Sequence, residues 1–224
     1  MLILYQQLQE IAMSTTIICV GQSVCPVKGK YNSAGFDAAV AASQEAAILP
    51  YNGKQYNPAG RVVLLGEGRL ARETADQMIL PYKAEIDPLL NEIPLRSFMD
   101  TDREYPAETW LRKAAGQRKH GDVRQSESRM QVIERADRLI ERIQGKDCIL
   151  VTYPLFLAEL LDRLRIHSYV VQRTGMLKIQ PLERFVISRK DEHCGGCQHN
   201  CFLSNPGCGV GRDKAMRRGL QVRS

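Results

Sequence analysis

Three runs of apolar, mostly β-branched residues recur along the chain, and each is followed by a segment with helix-forming composition. The runs are "TTIICV" (15–20), "RVVLL" (61–65) and "DCILVTY" (147–153). Because polar and apolar residues do not alternate in them, the runs predict strands buried on both faces, as in a parallel sheet covered by helices. The sequence therefore predicts an α/β protein, a three-layer sandwich with a mostly parallel sheet.

The segments after these runs predict the helical layers. Proline marks two of their ends, since Pro50 stops the first helix and Pro154 fits the first turn of the last. Residues 81–125 mix charged stretches with the only tryptophan, Trp110, which is typical of an insertion. The expected helices cover 36–49, 69–79, about 126–144 and 154–165, and shorter strands are expected at 168–172, 176–182 and 184–189.

The chain divides into three predicted parts. A length of 224 residues suits one sizeable domain with a small appendage. The start of the chain lacks the basic region of a signal peptide, and no apolar stretch reaches the roughly 20 residues that span a bilayer. We therefore expect a cytoplasmic protein with reduced thiols and no membrane partner. The predicted parts are an N-terminal extension (1–13), an α/β domain (14–193) and a cysteine-rich element with a basic tail (194–224).

Three short segments follow the buried strands and are candidates for a ligand site. In sheets of this kind, ligands bind beyond the carboxyl ends of the strands. Segments 21–23, 66–69 and 152–154 lie there, each leading toward a helix. Since backbone N–H groups at a helix start attract anions, these segments predict an anion pocket. Pro154 has no N–H to offer, which weakens the third edge.

The order of these pieces resembles the histidine phosphatase superfamily, the phosphoglycerate-mutase-like fold. "CVGQS" (19–23) stands where that family carries Arg-His-Gly, and "GEGRLARETA" (66–75) looks like its segment Ser-Pro-Leu-x-Arg-Ala-x-x-Thr-Ala. "VTYP" (151–154) stands where the family has Ser-His-Gly, and "MLKIQPLERFVISRKDEH" (176–193) is similar to its closing strand pair. The resemblance covers residues 15–193 and is one of pattern more than identity.

The resemblance also implies that catalysis has been lost. The family's reaction uses a nucleophilic histidine, a second histidine, two arginines and a carboxylate as general acid. Here the two arginine positions hold Cys19 and Leu70, and the two histidine positions hold Val20 and Tyr153. Valine cannot accept a phosphoryl group. The resemblance therefore implies a degenerate, catalytically inactive member with no catalytic residue.

The residues left around these positions predict a degenerate anion pocket. Arg69 and Arg72 flank Leu70, so they either point into the pocket or lie on the helix surface in pairs such as Arg69–Glu73. Tyr153 either donates to a ligand or covers the pocket. The pocket itself either binds an anion without turnover or is filled by side chains. The predicted pocket residues are Gln22, Ser23, Arg69, Arg72, Thr152 and Tyr153.

Cys19 has two interpretations, a thiolate nucleophile in place of the histidine or a buried thiol without a reactive role. The surrounding "ICV" is apolar and offers no neighbouring histidine and no Cys-x5-Arg cradle. A buried, unreactive thiol is therefore the favoured interpretation.

Four cysteines near the end of the chain predict a metal site. Cys194, Cys197, Cys201 and Cys208 supply four soft ligands from fifteen positions, and Gly195-Gly196 allows a tight turn between the first two. Four thiolates suit tetrahedral zinc in a structural role. An iron–sulfur cluster uses the same ligands, and disulfides or a reduced turn are the remaining interpretations.

Function and partners follow from these features. The favoured hypothesis is a non-catalytic protein that binds an unknown protein partner or a phosphorylated small molecule. One alternative is an enzyme, either a phosphatase with atypical residues or an iron–sulfur redox protein. The other is a nucleic-acid-associated zinc protein, since the net charge of +6 permits contact with phosphate groups. The basic residues of "GRDKAMRRGLQVRS" (211–224) either make such contacts or form a solvated tail.

Overall fold

A six-stranded sheet forms the centre of the fold, in a computed structural model that describes residues 14–173 and 178–189. The contacts divide the chain into two units, Met1–Arg189 and Lys190–Ser224, and every described residue belongs to the first. The strands of the described part are β1 (Thr15–Cys19), β2 (Lys30–Tyr31), β3 (Val62–Leu65), β4 (Lys83–Ile86), β5 (Tyr105–Pro106), β6 (Cys148–Thr152), β7 (Tyr169–Arg173) and β8 (Arg184–Arg189).

Five helices accompany these strands in the described residues. Asn32 caps the first of them, accepting a hydrogen bond from the Gly35 N–H (2.8 Å), and Ser128 and Gln131 form a capping box at the fourth. A single 3-10 turn covers Pro88–Leu90. The helices are α1 (Ser33–Glu45), α2 (Arg69–Met78), α3 (Ala107–Lys119), α4 (Arg129–Ile143) and α5 (Pro154–Ile166).

The sheet has the order β4-β3-β6-β1-β8-β7 and is mostly parallel. β4, β3, β6 and β1 run parallel to one another, whereas β8 pairs antiparallel with β1 and β7 antiparallel with β8. The predicted α/β class and mostly parallel sheet are confirmed. Two details of the strand prediction are wrong: 83–86 is an edge strand of the sheet instead of part of an insertion, and residues 178–182 contain no strand.

Apolar side chains cover both faces of the central strands. Along β1, Ile17 belongs to a cluster with side chains of α4 and α5, whereas the next residue, Ile18, belongs to a cluster with side chains of α2. Alternate side chains of a strand point to opposite faces, so neither face of β1 is left to solvent. This double burial is the reason why the first strand reads as an unbroken apolar run.

The buried face of α4 includes a charged side chain. Met130 is 63% exposed, and Arg135 is buried. The Arg135 guanidinium pairs with Glu127 (2.8 Å), donates to the Leu89 and Asn91 carbonyl oxygens and lies 4.2 Å from the centre of the Phe156 ring. These partners satisfy the charge of Arg135 inside the protein.

A third apolar cluster lies around the tryptophan. Trp110 stacks on Phe36 at 5.4 Å and contacts Phe98 and Tyr105, and its indole N–H donates to the Tyr31 carbonyl oxygen (2.8 Å).

In the described part of the chain, no helix is both long and apolar enough to cross a membrane.

Candidate functional site

A cavity of about 410 Å³ lies at the carboxyl ends of β1 and β6, where the sequence predicted a ligand site. Its walls come from the segment after β1, from α1, α2 and α3, from the segment after β4, from the start of α5 and from the segment before β8. The described residues that line it include Cys19, Val20, Gly21, Gln22, Ser23, Val27, Val40, Gln44, Leu70, Glu92, Ile93, Leu95, Leu111, Tyr153 and Ile179. The lining is apolar with a few polar groups, as in most small-molecule sites.

The segment after β1 uses its polar groups to hold the fold. The Val20 N–H donates to the Thr152 carbonyl oxygen (2.9 Å), and the Gly21 N–H donates to Thr74 Oγ1 (2.8 Å). Ser23 Oγ donates to the Ser43 carbonyl oxygen (2.9 Å) and accepts from the Cys25 N–H. The Val20, Gly21 and Cys25 N–H groups therefore have partners within the protein.

Tyr153 occupies the start of α2, the second predicted anion position. Its hydroxyl oxygen accepts hydrogen bonds from the backbone N–H groups of Ala71 and Gly68, and the ring is buried. A Cβ atom at position 68 would overlap this hydroxyl, so the close approach requires glycine. A neutral side chain of the protein thus takes the place that an anion would occupy at this helix start.

Glu92 occupies the start of α5, the third predicted position. Its Oε1 accepts from the N–H groups of Ile93 (2.9 Å) and Phe156 (3.2 Å), and its Oε2 accepts a longer bond from the Leu155 N–H (3.5 Å). The residue just before α5, Tyr153, makes no side-chain cap, so a carboxylate from another segment supplies it. The carboxylate also complements the positive end of the helix dipole.

Burial shifts the pKa values of three groups that line the cavity. Loss of water raises the pKa of Glu92 to about 7, against the opposing effects of its N–H donors and of Arg135. Burial also raises the pKa of Cys19 to about 12, with Glu92 and Glu183 adding to the shift. The pKa of Tyr153 rises to about 12 for the same main reason. Near neutral pH, Glu92 is therefore the only one of these three that titrates.

The predicted pocket residues separate into two groups. Gln22, Ser23 and Tyr153 line the cavity. Thr152 is buried behind it, with Oγ1 donating to the Leu90 carbonyl oxygen (2.8 Å). Arg69 and Arg72 lie on the exposed side of α2 and do not line the cavity, and the Arg69 Nε atom lies 2.6 Å from Glu73 Oε1. The surface interpretation of Arg69 is the one that the contacts show.

Glu92 is the residue that sequence reasoning missed. It lies in "PLLNEIPL" (88–95), which was assigned to an insertion, and it is the one charged residue of that run. Two signals were present: a lone carboxylate among apolar residues, and a helix that begins with Pro154 after a residue without a capping side chain. Joining them requires knowing that the two segments meet in space.

A second cavity of about 310 Å³ shares three lining residues with the first, namely Gln44, Glu92 and Tyr153. Glu45 and Glu67 line it as well, so three glutamates line this edge of the site. The Glu67 side chain accepts from the Asn91 amide (2.5 Å).

No group of three or more histidine, cysteine, aspartate or glutamate side chains that could hold a metal ion occurs among the described residues. The predicted ligands Cys194, Cys197, Cys201 and Cys208 lie outside those residues. Comparison of this chain with protein-family models, with curated proteins and with solved structures returned no match.

Proposed function

We propose that the α/β domain is a non-catalytic binding protein that holds a small molecule in the cavity beyond β1 and β6. One observation carries the proposal: Tyr153 and Glu92 occupy the two helix starts where a reacting anion would sit. The cavity remains open in front of them, with a volume of about 410 Å³, within the range of small-molecule sites. The site thus has room for a ligand, and no histidine, lysine or arginine is among the described residues that line it.

The residues at the candidate nucleophile positions support the non-catalytic part of the proposal. Val20, which the resemblance places at the phosphoryl-accepting position, is apolar and 3% exposed. Cys19 is the remaining candidate, and its thiol has a pKa of about 12. On the order of one molecule in 10⁵ would carry a thiolate at pH 7, too few for nucleophilic catalysis. The unreactive Val20 and Cys19 agree with the resemblance of the sequence to a degenerate, inactive histidine phosphatase.

The cysteine-rich element is a separate part of the proposal. Four cysteines within fifteen positions suit one tetrahedral zinc ion that stabilises a segment too small for its own core. An iron–sulfur cluster at the same cysteines is the alternative, and it would favour a redox function. A protein partner, or nucleic acid at the basic tail, would engage this end of the chain.

The proposal is tested by measuring turnover and binding on the same purified protein. A panel of phosphomonoesters should give no hydrolysis above the buffer rate. Ligand-observed NMR with a fragment library should find binders that are lost in Val40→Trp, because Val40 lines the cavity and the larger ring would fill it. Ala38→Trp is the matched control, since Ala38 is an exposed residue of the same helix.

Two results would overturn the proposal. One is turnover that disappears in Cys19→Ser or Glu92→Gln, because the site would then be catalytic. The other is a fragment set that binds Val40→Trp and the wild-type protein equally, because the cavity would then not be the binding site.

A further inference from the structure

We infer that the cavity takes an apolar molecule carrying a protonated amine, with the apolar body in the 410 Å³ cavity and the ammonium group against Glu92. The inference rests on the proposed function and names the class of its ligand. It follows from the walls of the cavity, the sign of the charges around it and the free capacity of one carboxylate.

The walls of the larger cavity favour an apolar body. Aliphatic side chains reach it from seven separate segments of the fold, so a ligand would be enclosed on several sides. Burial of apolar surface contributes roughly 25 cal/mol per Å², which makes such a body the main source of affinity. The aliphatic lining residues are Val20, Val27, Val40, Leu70, Ile93, Leu95, Leu111, Leu155 and Ile179.

The charges around the two cavities favour a cation. No lysine, arginine or histidine is among the described residues that line either one, whereas Glu45, Glu67 and Glu92 all do. The nearest base to Glu92, Arg135, is held by Glu127 and by two backbone carbonyl oxygens. A phosphorylated ligand would meet carboxylates with no cation to balance them, which is unfavourable in a partly buried site.

Glu92 has acceptor capacity left for such a cation. An ionised carboxylate offers about four lone-pair positions. The Oε1 atom accepts two backbone N–H groups, but Oε2 accepts only the 3.5 Å bond from Leu155. Glu92 lines both cavities, so a ligand in either would approach this carboxylate. A charge-assisted hydrogen bond from an ammonium group would satisfy it.

Ligand binding should depend on pH, because the ammonium group favours ionised Glu92. The groups that face Glu92 are Arg135 from α4, Tyr153 and Cys19 from the strand ends, and Glu45 and Glu67 beside the smaller cavity. Among them, the Cys19 thiol and the Tyr153 phenol keep their protons near pH 7, because burial raises the pKa of each to about 12. An amine of ordinary pKa, about 10, stays protonated from pH 6 to pH 8.

The test uses three probes with one apolar body, titrated calorimetrically into the full chain: 4-phenylbutylamine, 4-phenylbutanol and 4-phenylbutyl phosphate. The amine should bind most tightly. Its Kd should fall about tenfold from pH 6 to pH 8, because the ionised fraction of a carboxyl of pKa about 7 rises from about 0.1 to about 0.9. The alcohol should show no such dependence.

A variant pair assigns the effect to the proposed residue. Glu92→Gln should weaken the amine at least about tenfold and leave the alcohol within about twofold. Glu134→Gln, a change of the same chemistry at an exposed position of α4, should leave both unchanged. Should Glu92→Gln fail to fold, the pH series on the wild-type protein decides the matter alone.

The inference is overturned if the alcohol or the phosphate binds as tightly as the amine, if the amine's Kd is the same at pH 6 and pH 8, or if no probe binds. Binding of the phosphate as tightly as the amine, without hydrolysis, would leave the proposed function standing and reject only the amine as ligand. Hydrolysis of the phosphate would reject both.

Discussion

Removal of the Tyr153 hydroxyl should destabilise the α/β domain. In Tyr153→Phe, the N–H groups of Gly68 and Ala71 at the start of α2 lose their acceptor, and Ala71 is fully buried, so water cannot replace it. A buried donor without a partner costs about 1–3 kcal/mol of the free energy of unfolding. At roughly 2–4 °C per kcal/mol for a domain of this size, Tm should fall by several degrees.

Urea unfolding followed by Trp110 fluorescence measures this change, because the only tryptophan is buried in the domain. Tyr51→Phe is the matched control. Its hydroxyl donates to the Lys54 carbonyl oxygen (3.0 Å) at an exposed position, so its loss should cost less than about 0.5 kcal/mol. Equal stability of Tyr153→Phe and the wild type would refute the claim that the hydroxyl occupies the helix start.

A double-mutant cycle with Gly68 sharpens the same argument. Gly68→Ala should cost roughly 1–3 kcal/mol in the wild-type background, because the new Cβ overlaps the Tyr153 hydroxyl. In the Tyr153→Phe background the overlapping atom is gone, so the cost should fall by at least about 1 kcal/mol. Gly116→Ala is the control, since a Cβ at that position of α3 meets no atom within 4 Å. Additive costs for Gly68 and Tyr153 would contradict the proposed contact.

The remaining predictions concern protonation and metal. The fold raises the pKa of Glu92 from 4.5 to about 7, so between these pH values the folded protein binds more protons than the unfolded chain. The free energy of unfolding should therefore fall as pH rises from about 4.5 to 7. The loss attributable to Glu92 is about 3 kcal/mol at most, and urea unfolding at several pH values should show a shallower slope for Glu92→Gln. An unchanged slope would mean that Glu92 is not desolvated. Protein purified without added metal should contain one zinc per chain and no visible absorption. Cys197→Ser should lose the zinc while the urea midpoint of the α/β domain stays the same, and a brown protein would instead show an iron–sulfur cluster.

The central strands could be predicted from sequence because a strand buried on both faces is a nearly continuous run of apolar residues. β1, β3 and β6 read as unbroken apolar runs, and all three lie in the middle of the sheet. The edge strand β4 is exposed along its length, so its sequence "KAEI" is not an apolar run. Its place in the sheet is set by backbone pairing with β3, which side-chain patterns do not report.

The position of the candidate site could be predicted from the sequence, but the side chains that occupy it could not. The carboxyl ends of β1 and β6 follow from the α/β class alone. Whether Tyr153 covers the site or faces a ligand depends on its distance from Gly68, which no local pattern sets. Glu92 contacts the start of α5 more than sixty residues further along the chain. The buried Arg135 likewise depends on partners outside its helix, which the periodicity of α4 does not report.

Amide NMR titration of the labelled chain tests the central claim most directly, because it reports the two helix starts separately. With 4-phenylbutylamine, the amides of Ile93 and Phe156, which donate to Glu92, should shift in a saturable manner. With inorganic phosphate, the amides of Gly68 and Ala71 should not shift, because the Tyr153 hydroxyl already accepts from them. Saturable phosphate shifts at Gly68 and Ala71, with none at Ile93 and Phe156 on adding the amine, would contradict the account.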